Sequence, residues 1–141
     1  MWNNIITELD AKKFMESVYY FHDSCIKEIH YYSGAYVDTN LSMYPINARR
    51  SLRVIIQRQF EKMSALELDF IGLKYLNLYP NDEHYTCEIL DSTMIIANDN
   101  IYWCDLGGLS EVDLSNYQGT LICASKLRWR PIDCLGAEDY L

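Results

Sequence analysis

Close cysteine pairs are missing from this sequence. Cys25, Cys87, Cys104, Cys123 and Cys134 make an odd set with no CxxC spacing. Zinc sites usually announce themselves by such pairs, because a tight turn presents two thiolates at once. The three histidines, His22, His30 and His84, form no HxH or HExxH pattern, so no metal is expected. The first ten residues, MWNNIITELD, lack the basic stretch and apolar run of a secretory signal, and no apolar run reaches eighteen residues. Reduced thiols, a cytoplasmic location and no membrane partner are the expectation. Proline is scarce: Pro45, Pro80 and Pro131 each fall where an element should end. No Pro/Gly/Ser linker, low-complexity tract or repeat interrupts the chain, which reads as a single domain over residues 1–141.

Basic residues are also short in supply. Residues 1–70 carry 9 acidic and 8 basic side chains, a net of −1, whereas residues 71–141 carry 11 and 4, a net of −7. The total of −8 repels nucleic-acid phosphates and steers toward basic partners. Aromatics are plentiful: 12 of the 141 residues are tyrosine, which favours strands and recognition surfaces. For a 16.6 kDa chain, mass scaling gives a folded surface of roughly 7,600 Å².

Local patterns assign an α+β fold, mainly antiparallel sheet with a short N-terminal helix. Thr7 can cap that helix, with Asp10 closing a capping box, and Leu9, Phe14, Met15 and Val18 on its apolar side. Its end falls near Tyr19 or Tyr20. After a polar corner at Phe21-His22-Asp23-Ser24, residues 25–32 read as a strand broken by Ser33-Gly34, and residues 38–45 as a loop. Leu52, Val54, Ile56 and Phe60 alternate with Arg53, Gln57 and Gln59, leaving Ile55 as the exception. Leu66, Leu68 and Phe70 alternate with Glu67 and Asp69. At Gly72 the phase slips, which predicts a bulge or bend. Residues 86–97 read as one strand, Asn98-Asp99-Asn100 as a hairpin turn into 101–104, residues 105–117 as an acidic loop, and 121–130 as the last strand.

The chemistry-bearing groups point to binding and not to catalysis. His22 and Asp23 are neighbours in a corner, where Asp23 suits a turn residue that accepts backbone amides. Cys87, Cys104 and Cys123 lie in apolar surroundings that favour buried thiols. Gly107-Gly108 is followed by Leu109, with no lysine to hold a phosphate. No catalytic residue and no cofactor is therefore expected. Lys126, Arg128 and Arg130 share one parity of the last strand; they could meet a partner's acidic groups or pair across the sheet with nearby acids. Tyr31, Tyr32, Tyr36 and Tyr44 cluster around Gly34, as aromatics at protein interfaces do. The candidate binding residues are Tyr32, Tyr36, Glu111, Asp113, Lys126, Arg128 and Arg130.

Three segments carry a resemblance: Phe21-His22-Asp23-Ser24-Cys25-Ile26, residues 66–72 ending in glycine, and residues 124–129 with an A-x-x-L-x-W pattern. Together they resemble a set of small uncharacterised bacterial proteins with an FHD-type motif, some of them similar to immunity proteins of bacterial toxin systems. The resemblance implies a non-enzymatic module that binds a protein partner, a basic toxin being the type case. A small-ligand-binding or enzymatic domain is the alternative.

Overall fold

The computed structural model describes all of residues 1–141. Nine strands and two short helices form an α+β fold in which every strand pair is antiparallel. In chain order the strands are β1 (Asn3–Ile5), β2 (Ser24–Tyr32), β3 (Tyr36–Val37), β4 (Met43–Tyr44), β5 (Ser51–Arg58), β6 (Ala65–Asn77), β7 (Thr93–Ala97), β8 (Asn100–Cys104) and β9 (Leu121–Pro131). The helices are α1 (Glu8–Ser17) and α2 (Glu111–Leu114). Seven strands make one sheet in the order β2-β5-β6-β9-β8-β7, and β1 pairs with β9 beyond the end of β8. Strands β3 and β4 form a separate two-stranded arm.

Helix α1 starts where Thr7 predicts. The Asp10 amide donates to Thr7 Oγ1 at 3.1 Å, and Asp10 Oδ2 accepts from the amides of Thr7 and Ile6. These bonds satisfy donors that a helix start otherwise leaves open, and they hold the Asp10 carboxyl below the usual range. Phe14, Met15 and Val18 are buried as expected, whereas Leu9 is 57% exposed and Ala11 joins the buried stripe in its place. Behind the helix, Tyr19, Tyr20 and Phe21 all have positive φ, which disfavours L residues. Burial of Phe21 offsets this strain: its ring meets Phe14 and Trp103 edge-on at 5.7 and 6.1 Å.

One face of the sheet packs on this helical layer. Leu52, Val54 and Ile56 of β5, Leu66, Leu68 and Phe70 of β6, and Ile122, Ala124 and Leu127 of β9 all point into that core. Phe60, expected to continue the β5 alternation, lies past the strand; its ring stacks on Tyr19 and over the Arg58 guanidinium. At Gly72 the phase changes as the sequence predicts, with a refinement. Gly72 has φ +68°, and the one-residue register shift falls just after it, between Leu73 and Tyr75. Strand β9 changes phase opposite, from Leu127 to Ala124, so both strands turn together.

The other departures are local. Residues 86–92 are not strand; only an isolated bridge, Ser24 to Ile89, ties them to β2, so Cys87 is exposed. The 105–117 loop contains α2, capped by Ser110 with Asp113 closing the box. Residues 38–45 hold β4 as well as a turn. The hairpin at Asn98-Asp99 has two residues of positive φ between paired Ala97 and Asn100, the geometry that suits strand twist.

Candidate functional site

The second face of the sheet is unlike the first. Its side chains stand in cross-strand rows set by the register. One row is His30, Arg53, Asp69 and Arg128; the next is Glu28, Ile55, Glu67 and Arg130. Glu67 and Asp69, which the alternation placed toward solvent, are 0% and 1% exposed. Buried carboxylates persist only when paired. Asp69 accepts from Arg128 Nε at 2.9 Å and Nη2 at 2.8 Å and from Ser51 Oγ at 2.6 Å. Glu67 accepts from Arg130 Nε and Nη2 at 3.2 and 3.0 Å, and Arg53 Nη1 lies 3.3 Å away.

Two of the three cations on β9 are thus structural partners of β6 acids. Each guanidinium is held in a planar fork that leaves its Nη1 group outside these bonds and its side chain about one-third exposed. The Trp2 ring lies 4.3 Å from both guanidiniums. Lys126, one row further along, is exposed and free of ion pairs.

On the opposite flank, residues 132–141 strap the sheet. Gln57 Nε2 donates to the carbonyls of Cys134 and Gly136, Lys27 Nζ donates to Gly136, and Cys134 packs on Ile55 and Ala65. The amides of Tyr140 and Leu141 donate to the Glu28 carboxylate, which also bonds His30 Nε2 at 2.9 Å. The Tyr140 amide, then the His30 ring, hold Glu28 below the ordinary carboxyl range.

Beyond Tyr32, the last residue of β2, the chain leaves the sheet as the arm. Ser33 O accepts from the Arg49 and Arg50 amides and closes its base. Gly34 has φ +94°, and a Cβ there would sit 2.7 Å from the Arg49 amide, so only glycine fits. Asp38 Oδ1 accepts from the Asn40 and Ser42 amides and shapes the tip. Tyr36 and Tyr44 face each other with ring centroids 4.8 Å apart. Leu41 is 85% exposed, Met43 and Ile46 both 68%, and Val37 52%. Polar or charged side chains are the usual edge defence, and the short strands of this arm carry apolar ones instead. The molecule's surface is 8,949 Å², roughly 1,300 Å² above the mass scaling. Tyr32 joins arm to face: its ring takes Arg49 at 4.4 Å and Arg53 at 6.0 Å.

The remaining sequence candidates are dispersed. Glu111 accepts from Asn98 Nδ2, and Asp113 is occupied by the α2 cap, so neither adjoins the arm. His22 and Asp23 do face each other, at 3.4 Å; Asp23 sits in the turn before β2 as expected, with φ +58°, but its carboxylate accepts no backbone amide. His22 Nδ1 instead donates to Leu90 O and pins residues 86–92 to the corner. His30 pairs with Glu28 along β2 and His84 with Asp82 in the loop before residue 86, and no group of three His, Cys, Asp or Glu comes together to hold a metal ion. All five cysteines are free; burial pushes the thiols of Cys25, Cys104 and Cys123 upward, which works against thiolate formation. A cleft of about 620 Å³ opens between β1 and β8, lined by Ile5, Ile101, Leu127 and Lys126 among others.

Sequence reasoning missed Trp2, Arg49, Arg53 and the arm's aliphatic residues. The matching i, i+2 spacing of Glu67 and Asp69 with Arg128 and Arg130 was the available signal for the ion rows. No helix is long and apolar enough to cross a membrane. Comparisons with protein-family models, curated proteins and solved structures find no match.

Proposed function

We propose that this chain is a non-enzymatic protein-binding module whose contact surface is the β3–β4 arm. The carrying observation is the arm itself, which displays Tyr36, Val37, Leu41, Met43, Tyr44 and Ile46 with no core of its own. Exposed apolar groups on an ordered hairpin have unfavourable hydration that a partner removes. Ordering by Asp38, Gly34 and the Ser33 carbonyl lowers the entropy lost on association. Tyr36 and Tyr44 are of the residue type that anchors interfaces. Toxin neutralisation, with a basic toxin drawn by the acidic residues 71–141, is the form of binding that the immunity-protein resemblance implies.

The test is affinity capture from the native cell with wild type and the Leu41→Asp variant side by side. Because Leu41 is 85% exposed, the substitution should leave stability within about 0.5 kcal/mol. A specific partner should be retained by wild type and depleted about tenfold or more by the variant, equivalent to roughly 1.4 kcal/mol. Equal recovery by both proteins counts against the arm as the contact surface.

A further inference from the structure

We propose that Cys87 and Cys25 form a reversible disulfide, with Cys87 the thiol that a peroxide oxidises first and Cys25 the thiol that closes the bond. The pair lies at the end of β2 away from the arm, so this inference is independent of the arm's role. Of the five cysteines only these two are not buried: Cys87 is exposed and Cys25 half-buried. Both line one open cleft of about 610 Å³ at the sheet edge, where a small oxidant reaches them together.

The fold sets the two thiols on neighbouring segments. Ser24 and Ile89 face each other across an antiparallel bridge, with the Ile89 amide donating to Ser24 O at 2.7 Å and the Asp23 amide donating to Ile89 O at 3.1 Å. Cys25 follows Ser24, and Cys87 lies one residue past the position opposite it. Residues directly opposite in such a pair have Cα atoms about 4.5–5.5 Å apart, and a disulfide spans about 4.4–6.8 Å. One step off that position needs only a small adjustment. Cys25 is fixed by the β2–β5 ladder, whereas no backbone hydrogen bond holds residues 86–88, so that segment supplies the movement. The two sulfurs also sense one another: after burial, negative charge on Cys87 is the next cause that pushes the Cys25 thiol upward.

The chemistry balances with a peroxide as oxidant. The Cys87 thiolate attacks one peroxide oxygen, the O–O bond breaks and hydroxide leaves, so Cys87 becomes a sulfenic acid. Deprotonated Cys25 then attacks the Cys87 sulfur; the S–S bond forms as the S–O bond breaks and a second hydroxide leaves. The hydroxides take up the protons that the two thiols give up. Two thiols and one peroxide thus become one disulfide and two waters. Closure fastens residues 86–92, which are otherwise tied by the Ile89 bridge and by His22 Nδ1 at Leu90 O.

The experiment uses the whole chain, fully reduced, treated with a few equivalents of hydrogen peroxide, then denatured and alkylated. Intact mass should show a monomer lighter by about two hydrogens. Alkylation should find 5 − 2 = 3 thiols, with Cys25 and Cys87 in one cross-linked peptide, and a thiol reductant should restore all five. Decay of the Cys87 sulfenic acid, followed with a dimedone probe, should quicken several-fold between about pH 7 and pH 8.5 as Cys25 ionises. In Cys25→Ser the sulfenic acid should persist, and in Cys87→Ser the Cys25 thiol should survive peroxide. Amides of residues 86–90 should exchange several-fold more slowly in the oxidised chain. A wild-type chain that keeps five thiols, or that stops at the sulfenic acid, overturns the proposal. Pairing of Cys87 with Cys134, or with a second chain, overturns it as well.

Discussion

Arg128→Ala isolates what the buried ion rows do for stability. The substitution strands Asp69, whose side chain is 2% exposed, with only the Ser51 hydroxyl at 2.6 Å as partner. Breaking a buried pair typically costs about 3–5 kcal/mol, mostly from the charge left behind. Arg128 is 32% exposed and the pair is partly screened, so the lower end, about 3 kcal/mol, is expected. Replacing both residues by leucine removes the stranded charge and should leave stability within about 1 kcal/mol of wild type. Lys126→Ala, on the same strand face but unpaired, should change it by under about 0.5 kcal/mol. Urea is the denaturant to use, because guanidinium salt screens the pairs under test. A loss under about 1 kcal/mol refutes the reasoning.

Phe70→Ala should cost on the order of 3–5 kcal/mol in equilibrium unfolding, because a wholly buried ring leaves a cavity between α1 and the sheet. Gly72→Ala should cost about 1–2 kcal/mol, since φ +68° strains an alanine and its Cβ would lie 3.0 Å from Ser125 Oγ. The Glu28 carboxyl is depressed in the folded state, so its stabilisation is complete above the ordinary glutamate value and is lost as pH falls through the folded one. Amide resonances of Tyr140 and Leu141 should accordingly hold their docked positions as pH falls to the ordinary glutamate value and move only below it. Glu28→Gln should move them at neutral pH.

Legibility followed the range of the interaction. Thr7 and Asp10 announce a helix start because the capping partners lie three residues apart. Asn98-Asp99 announces a hairpin for the same reason. The core parity of Leu66, Leu68 and Phe70 was readable from alternation, but the burial of Glu67 and Asp69 was not. Their partners Arg130 and Arg128 stand 63 and 59 residues away, and polar residues on an alternating strand default to solvent. Residues 86–92 show the opposite failure: Ile89 alone bridges to Ser24, while Leu90 is 67% exposed. The arm was visible as a tyrosine cluster around Gly34, yet its ordered tip depends on Asp38 accepting two amides, a detail that composition does not carry.

Amide hydrogen exchange on the complex with a captured partner tests the central claim most directly. The account predicts new protection over residues 36–46, with residues 105–117 unchanged. Protection confined to 105–117, with the arm exchanging as in the free protein, would contradict it and assign binding to the acidic half.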